Sequence, residues 1–179
     1  MSKLGKKPIP IPKDTKVKVE AGKIILTGPK GSRELSINDK IFTTTVSDDN
    51  NLILKLIKKN EDSNVMWGTT RSIIRSALIG VATGHEKILE LNGVGFRASL
   101  QGDTIKLQLG FSHDNFYKIP KGAKITVEKS TVIKITSIDK ELVGKIASEI
   151  IMLKPVEPYK GKGIKLRGQY VLRKEGKKK

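Results

Sequence analysis

The chain runs through the same order of elements twice, several stretches alternating at a strand's period of two and then a stripe at a helix's period of 3.6, and this restricts it to a duplicated α+β architecture. In the first half, residues 15–20 alternate polar and apolar side chains, Ala21-Gly22 offers a turn, and residues 23–27 return as the second arm of a hairpin. Gly28-Pro29-Lys30-Gly31 punctuates the chain, and further strands are expected at 33–37, 42–47 and 52–57, the last two flanking the polar turn Asp48-Asp49-Asn50-Asn51. The period then changes. Met66, Thr70, Ile73, Ile74, Ala77, Leu78 and Val81 recur at helical spacing, with N-caps expected at 62–64 and Gly84 as the C-terminal stop.

The second half repeats the order. Strands are expected at 87–92, 96–101 and 104–109, with Gly102-Asp103 as a hairpin turn, and a further pair at 123–128 and 131–136. Leu142, Val143, Ile146, Ile150 and Leu153 make a second helical stripe that ends before Pro155. Aligning residues 22–28 with 103–110 brings the halves into register at a spacing of about 80 residues. The expected fold class is therefore α+β, with two tandem similar domains, each an antiparallel-rich sheet packed against a helix, plus basic N- and C-terminal extensions. The first repeat with its basic arm spans 1–81, the second spans 82–154 and opens on a short linker at 82–86, and 155–179 lies beyond a core expected to close by Leu153.

Charge marks the ends. The chain has 35 Lys and Arg against 18 Asp and Glu, a net charge of +17, which calls for a polyanionic partner: nucleic acid first, an acidic membrane surface second. Residues 1–18 carry six Lys and one Asp, and residues 154–179 carry ten Lys or Arg and two Glu, so the excess sits at the termini. No apolar run reaches the ~20 residues of a spanning helix, and Met1-Ser2-Lys3-Leu4-Gly5-Lys6-Lys7 has no apolar signal core, so a soluble, intracellular chain is expected. Cysteine is absent, which removes thiolate chemistry.

The segment Pro155-Val156-Glu157-Pro158-Tyr159-Lys160-Gly161-Lys162-Gly163-Ile164-Lys165-Leu166-Arg167 opens with prolines that hold an extended path and continues with alternating Gly and Lys. Glycine lets the backbone approach a phosphate oxygen, Lys supplies a cation, and Arg167 adds a bidentate fork. The bland alternative is a flexible basic tail, which describes Lys177-Lys178-Lys179 better than the stretch before it. Gly93-Val94-Gly95-Phe96-Arg97 is not a dinucleotide fingerprint, since Ala98 follows and a strand begins at once; it reads either as a glycine-enabled bend with Phe96 in the core or as an RNA contact through Arg97.

His85 and His113 stand alone, and no catalytic or metal-binding motif is present, so neither an enzyme, a metal nor a cofactor is expected. Four Phe, three Tyr and one Trp without an RNP-type cluster point away from single-strand reading and toward phosphate, ribose and shape, with Trp67 in the core. A freestanding RNA-binding or chaperone-like module, and an enzyme acting on anionic substrates, remain the rival readings.

Five ordered motifs carry a resemblance: Gly5-Lys6-Lys7-Pro8-Ile9, Gly68-Thr69-Thr70-Arg71, Gly93-Val94-Gly95-Phe96-Arg97-Ala98, Leu109-Gly110-Phe111-Ser112-His113 and Pro158-Tyr159-Lys160-Gly161-Lys162-Gly163. Over nearly its full length the chain resembles the bacterial-type large-subunit ribosomal protein L six family. That resemblance implies a non-catalytic, cytoplasmic, ribosome-bound protein that supports assembly and translation. It also implies binding to folded 23S rRNA near the sarcin-ricin loop and the base of the factor-binding stalk. Within the ribosome the protein would be a monomer among neighbouring large-subunit proteins, with no membrane partner. The family's RNA grip maps here onto Tyr159, Lys160, Gly161, Lys162, Gly163, Lys165 and Arg167, with Gly93, Gly95 and Arg97 as a weaker patch. The sequence departs from the family pattern at Phe96, where Tyr is usual, at Asp114, where Pro is frequent, and at Lys165-Leu166, where Arg-Tyr is common.

Overall fold

The computed structural model describes residues 5–20, 22–47, 50–57 and 61–176. The N-terminal residues 1–4, Ala21, the turn residues Asp48 and Asp49, and the terminal lysine run 177–179 lie outside the described residues, as does the Asp62 side chain offered as an N-cap. The chain divides into two compact units, Met1–Gly84 and His85–Lys179.

In the first unit the strands are β1 (Ile9–Pro10), β2 (Lys16–Glu20), β3 (Lys23–Gly28), β4 (Gly31–Ser36), β5 (Phe42–Ser47) and β6 (Asn51–Leu56), followed by α1 (Glu61–Ala82). They form two three-stranded antiparallel sheets, ordered β1-β6-β5 and β2-β3-β4. The period-two pattern decides which side chains turn inward, so Ile24 and Leu26 of β3 and Leu52 and Leu54 of β6 are buried. Against them α1 presents Trp67, Ile74, Ala77, Leu78 and Val81. Met66 and Ile73, expected on that face, are instead 46% and 40% exposed. The stripe is rotated because the Trp67 indole, the largest apolar group on the helix, takes the core and donates its N–H to the Leu54 carbonyl at 2.9 Å.

The basic N-terminal arm is not free. Ile9 is buried and pairs with Leu52, and the Arg71 guanidinium, itself buried, donates to the carbonyls of Lys7 at 2.7 Å and Pro8 at 3.2 Å. The first two of the five motifs therefore meet, since the arm docks on the helix that Gly68-Thr69-Thr70-Arg71 belongs to.

The second unit contains β7 (His85–Asn92), β8 (Arg97–Gln101), β9 (Thr104–Gln108), β10 (Asn115–Lys118), β11 (Ala123–Glu128), β12 (Val132–Ser137), α2 (Lys140–Leu153) and β13 (Gly163–Leu166). Its β10-β9-β8 sheet matches β4-β3-β2, and β11-β12-β7 matches β5-β6-β1, so the duplication holds strand for strand and β3 corresponds to β9. Asp139 caps α2 by accepting the Glu141 N–H at 2.9 Å, and Val143, Ile146, Ala147 and Ile150 of that helix are buried. Tyr117 of β10 reaches α2, donating to Glu149 at 2.6 Å; burial, reinforced by that carboxylate, pushes the phenol above its ordinary pKa.

Among the described residues, one strand has no counterpart in the first unit. β13 pairs antiparallel with β7, on the edge opposite β12, and places the fully buried Ile164 in the core. The core therefore does not close at Leu153. Four residues beyond the repeat complete it, and their short alternating pattern is hidden in sequence by the glycines and lysines around it.

Candidate nucleic-acid interface

The site grows from the two edges that β13 joins. After α2 the chain leaves Lys154 and forms a closed loop. Glu157 N–H donates to the Lys162 carbonyl at 2.8 Å, and Gly161 N–H donates to the Glu157 carbonyl at 3.1 Å. Gly161 takes a left-handed φ of 70°, which closes the loop with Lys160 and Lys162 on its exposed rim. Gly163 follows at φ 141°, buried, where a Cβ would lie 2.6 Å from the Pro155 carbonyl oxygen and 2.6 Å from the Val156 Cα. The glycine at 163 is required by the chain's own backbone passing beneath it.

At the far end of β7 the chain turns through Gly93-Val94-Gly95-Phe96. Phe96 N–H donates to the Gly93 carbonyl, Gly95 adopts φ 79°, and a Cβ on Gly93 would lie 2.9 Å from the Phe96 ring. The geometry is a turn with positive φ at its third residue, which buries Phe96 and leaves Val94 93% exposed at the tip. A Cβ on Gly110 would meet the other side of the same ring at 3.2 Å, so two of the motifs are explained by how Phe96 is housed.

These elements converge. Asn92, Gly93 and Val94 line one wall of a groove of about 440 Å³ whose other walls are Lys160, Gly161, Lys162 and Arg173. A second groove, about 420 Å³, shares Asn92, Gly161 and Arg173 with the first and extends to Lys165, Gln169 and Tyr170. The segment after β13 is held in place by Arg167 N–H to the Ile88 carbonyl and Lys174 N–H to the Pro158 carbonyl, each at 2.9 Å. Exposed Lys160, Lys162 and Arg173, 84% exposed Tyr170 and exposed Val94 thus lie along these two adjoining grooves, an arrangement of cations beside accessible backbone suited to phosphate contacts.

Of the residues singled out in sequence, Gly163 is buried, and neither it nor Arg167 lines a groove. Gly93, Lys160, Gly161, Lys162 and Lys165 line the grooves. Lys165 and Arg167 share the Glu90 carboxylate, at 3.6 Å and 3.1 Å, which fixes both and offsets one of their charges. Tyr159, Gly95 and Arg97 do not line either groove; Tyr159 is 54% exposed, and Arg97 begins β8. Sequence reasoning passed over Asn92, Gln169, Tyr170 and Arg173. The only signal for the last three was their place in the charged segment, because 167–176 carries no regular period.

Comparison with known proteins bears on the same stretch. The family model described as "Ribosomal protein L6" matches residues 92–166, from the end of β7 to the end of β13. Proteins named "Large ribosomal subunit protein uL6" align along their full length with the full length of this chain: 46% identical in Bartonella tribocorum, 44% in Allorhizobium ampelinum and 41% in Novosphingobium aromaticivorans. The chain belongs to the ribosomal protein L6 family. The L6 match takes in both groove walls supplied by β7 and the Lys160–Lys162 loop, while Tyr170 and Arg173 lie beyond it.

Proposed function

We propose that this member of the L6 family is a non-catalytic constituent of the large ribosomal subunit that grips folded 23S rRNA through the twin grooves of its second unit. In this reading it is bound to cytoplasmic ribosomes near the sarcin-ricin loop and the base of the factor-binding stalk, among neighbouring large-subunit proteins. The observation that carries the reading is the convergence of Lys160, Lys162 and Arg173 with the Gly93–Val94 turn around one groove of about 440 Å³. Lys160, Gly161, Lys162, Lys165, Arg167 and Arg173 supply cations and close backbone approach. The Gly93–Gly95 turn and Tyr159 supply shape, and Arg97 lies outside the grooves. Gly163 serves by holding β13 in place, so that the loop before it stays closed.

Salt-washed sucrose gradients test the assignment. The chain is expected to sediment with intact large subunits, and recovery only in the soluble fraction would overturn it. Chemical footprinting of the bound 23S rRNA tests the finer location: protection is expected at the sarcin-ricin loop and the stalk base, and protection confined elsewhere contradicts it.

A further inference from the structure

The β8-β9-β10 sheet has an outer face that the grooves do not use. Its strand register sets three rows across that face: Arg97 opposite Gln108, Ser99 opposite Lys106 opposite Phe116, and Gln101 opposite Thr104 opposite Lys118. Alternate residues Ala98, Ile105 and Leu107 are buried, which fixes the other set outward. Phe116 is 61% exposed in the middle row. Two acids flank these rows: Asp103 in the turn between Gln101 and Thr104, and Asp114, which is bound to Lys106 at 2.7 Å, a hydrogen bond that holds its carboxyl below the usual carboxylate range.

The first repeat provides a control within the same chain. Counting from the closing pairs Glu20–Lys23 and Gln101–Thr104, the row Lys18–Ile25–Glu34 corresponds to Ser99–Lys106–Phe116. Where one sheet carries Glu34, paired with Lys23 at 2.6 Å, the other carries an exposed phenyl beside a lysine. An exposed aromatic at that position is therefore not demanded by the topology.

We infer that the outer face of the β8-β9-β10 sheet is a second RNA-contact surface, on which Phe116 stacks an unpaired base while Arg97, Lys106 and Lys118 take the adjoining phosphates. It rests on the proposed rRNA binding and adds a base contact to a mode otherwise led by backbone. Charge complementarity selects the occupant. One phenyl offers at most about 250 Å² of apolar surface, far below the ~1,000 Å² of a specific protein interface, whereas a single ring among cations and amides is what a stacked nucleotide uses.

The test is F116W in the full chain, with buried Trp67 as an internal reference, bound to protein-free 23S rRNA. The added indole is expected to be quenched and shielded from acrylamide on binding. F116A is expected to weaken binding roughly 5- to 150-fold with its melting curve unchanged. If the rRNA binds but the indole stays as accessible as in the free chain, or F116A binds as wild type does, the stacking surface is refuted and the groove reading stands. Shielding seen only in complete subunits would identify a protein as occupant and equally refute it. If the wild-type chain does not bind the rRNA at all, the groove reading falls and the stacking surface with it.

Discussion

β1 and β7 occupy the same place in their repeats, each pairing with the second strand of the hairpin that precedes the helix, yet their outer edges are finished in different ways. β1 has two residues and sits in Pro8-Ile9-Pro10-Ile11-Pro12. Ile11 N–H faces the β6 side, donating to Asn50 at 2.9 Å, so alternation turns the proline nitrogens to the outer edge, which they leave without donors. β7 has eight residues and no proline, and β13 covers its outer edge. One edge is blunted by composition; the other is paired with a strand that brings the Lys160–Lys162 loop with it. The strand that covers the second edge thus also carries the proposed binding face.

Substitutions at the two edges should separate these solutions. Gly163→Ala drives a Cβ into the Pro155 carbonyl and is expected to destabilise by about 3 kcal/mol or more, read as a lower urea midpoint. The loss of stability would also open the binding loop. At the first edge, Arg71→Ala leaves the Lys7 and Pro8 carbonyls without their buried donor, an expected loss of about 2–3 kcal/mol with RNA affinity retained after correction for the folded fraction. Ile164→Val trims one methyl from the core and should cost about 1 kcal/mol, seen as a small shift in thermal midpoint. Pro10→Ala restores an outward N–H on β1. Its effect on stability should stay within about 0.5 kcal/mol, while light scattering should show increased self-association, because the edge is again a template.

The repeat, both helices and most strands were legible because they rest on period and turn chemistry, which are local. What escaped depends on distant partners. β1 is too short to show a period, and it is defined by the pairing of Ile9 with Leu52 and by Arg71 holding the carbonyls of Lys7 and Pro8 just before it. β13 lies in what the sequence presents as a basic extension beyond the core, because four residues among glycines and lysines become a strand only beside β7. Its burial of Ile164 also means that deleting everything after Lys154 would test folding together with binding. In the site, the basic loop was visible as charge and glycine spacing. Its meeting with Gly93 and Val94, and the contribution of Arg173, follow only from antiparallel pairing that brings residues 92 and 163 side by side.

The most direct test of the central claim is the salt dependence of 23S rRNA binding by the triple variant Lys160→Ala/Lys162→Ala/Arg173→Ala, beside wild type. All three side chains are exposed, so the melting curve should be unchanged. With each phosphate contact contributing about 0.7–0.9 to the slope of log affinity against log salt, the slope should become shallower by roughly 2–3. A variant that folds normally and keeps the wild-type slope would show that the groove does not hold the RNA backbone.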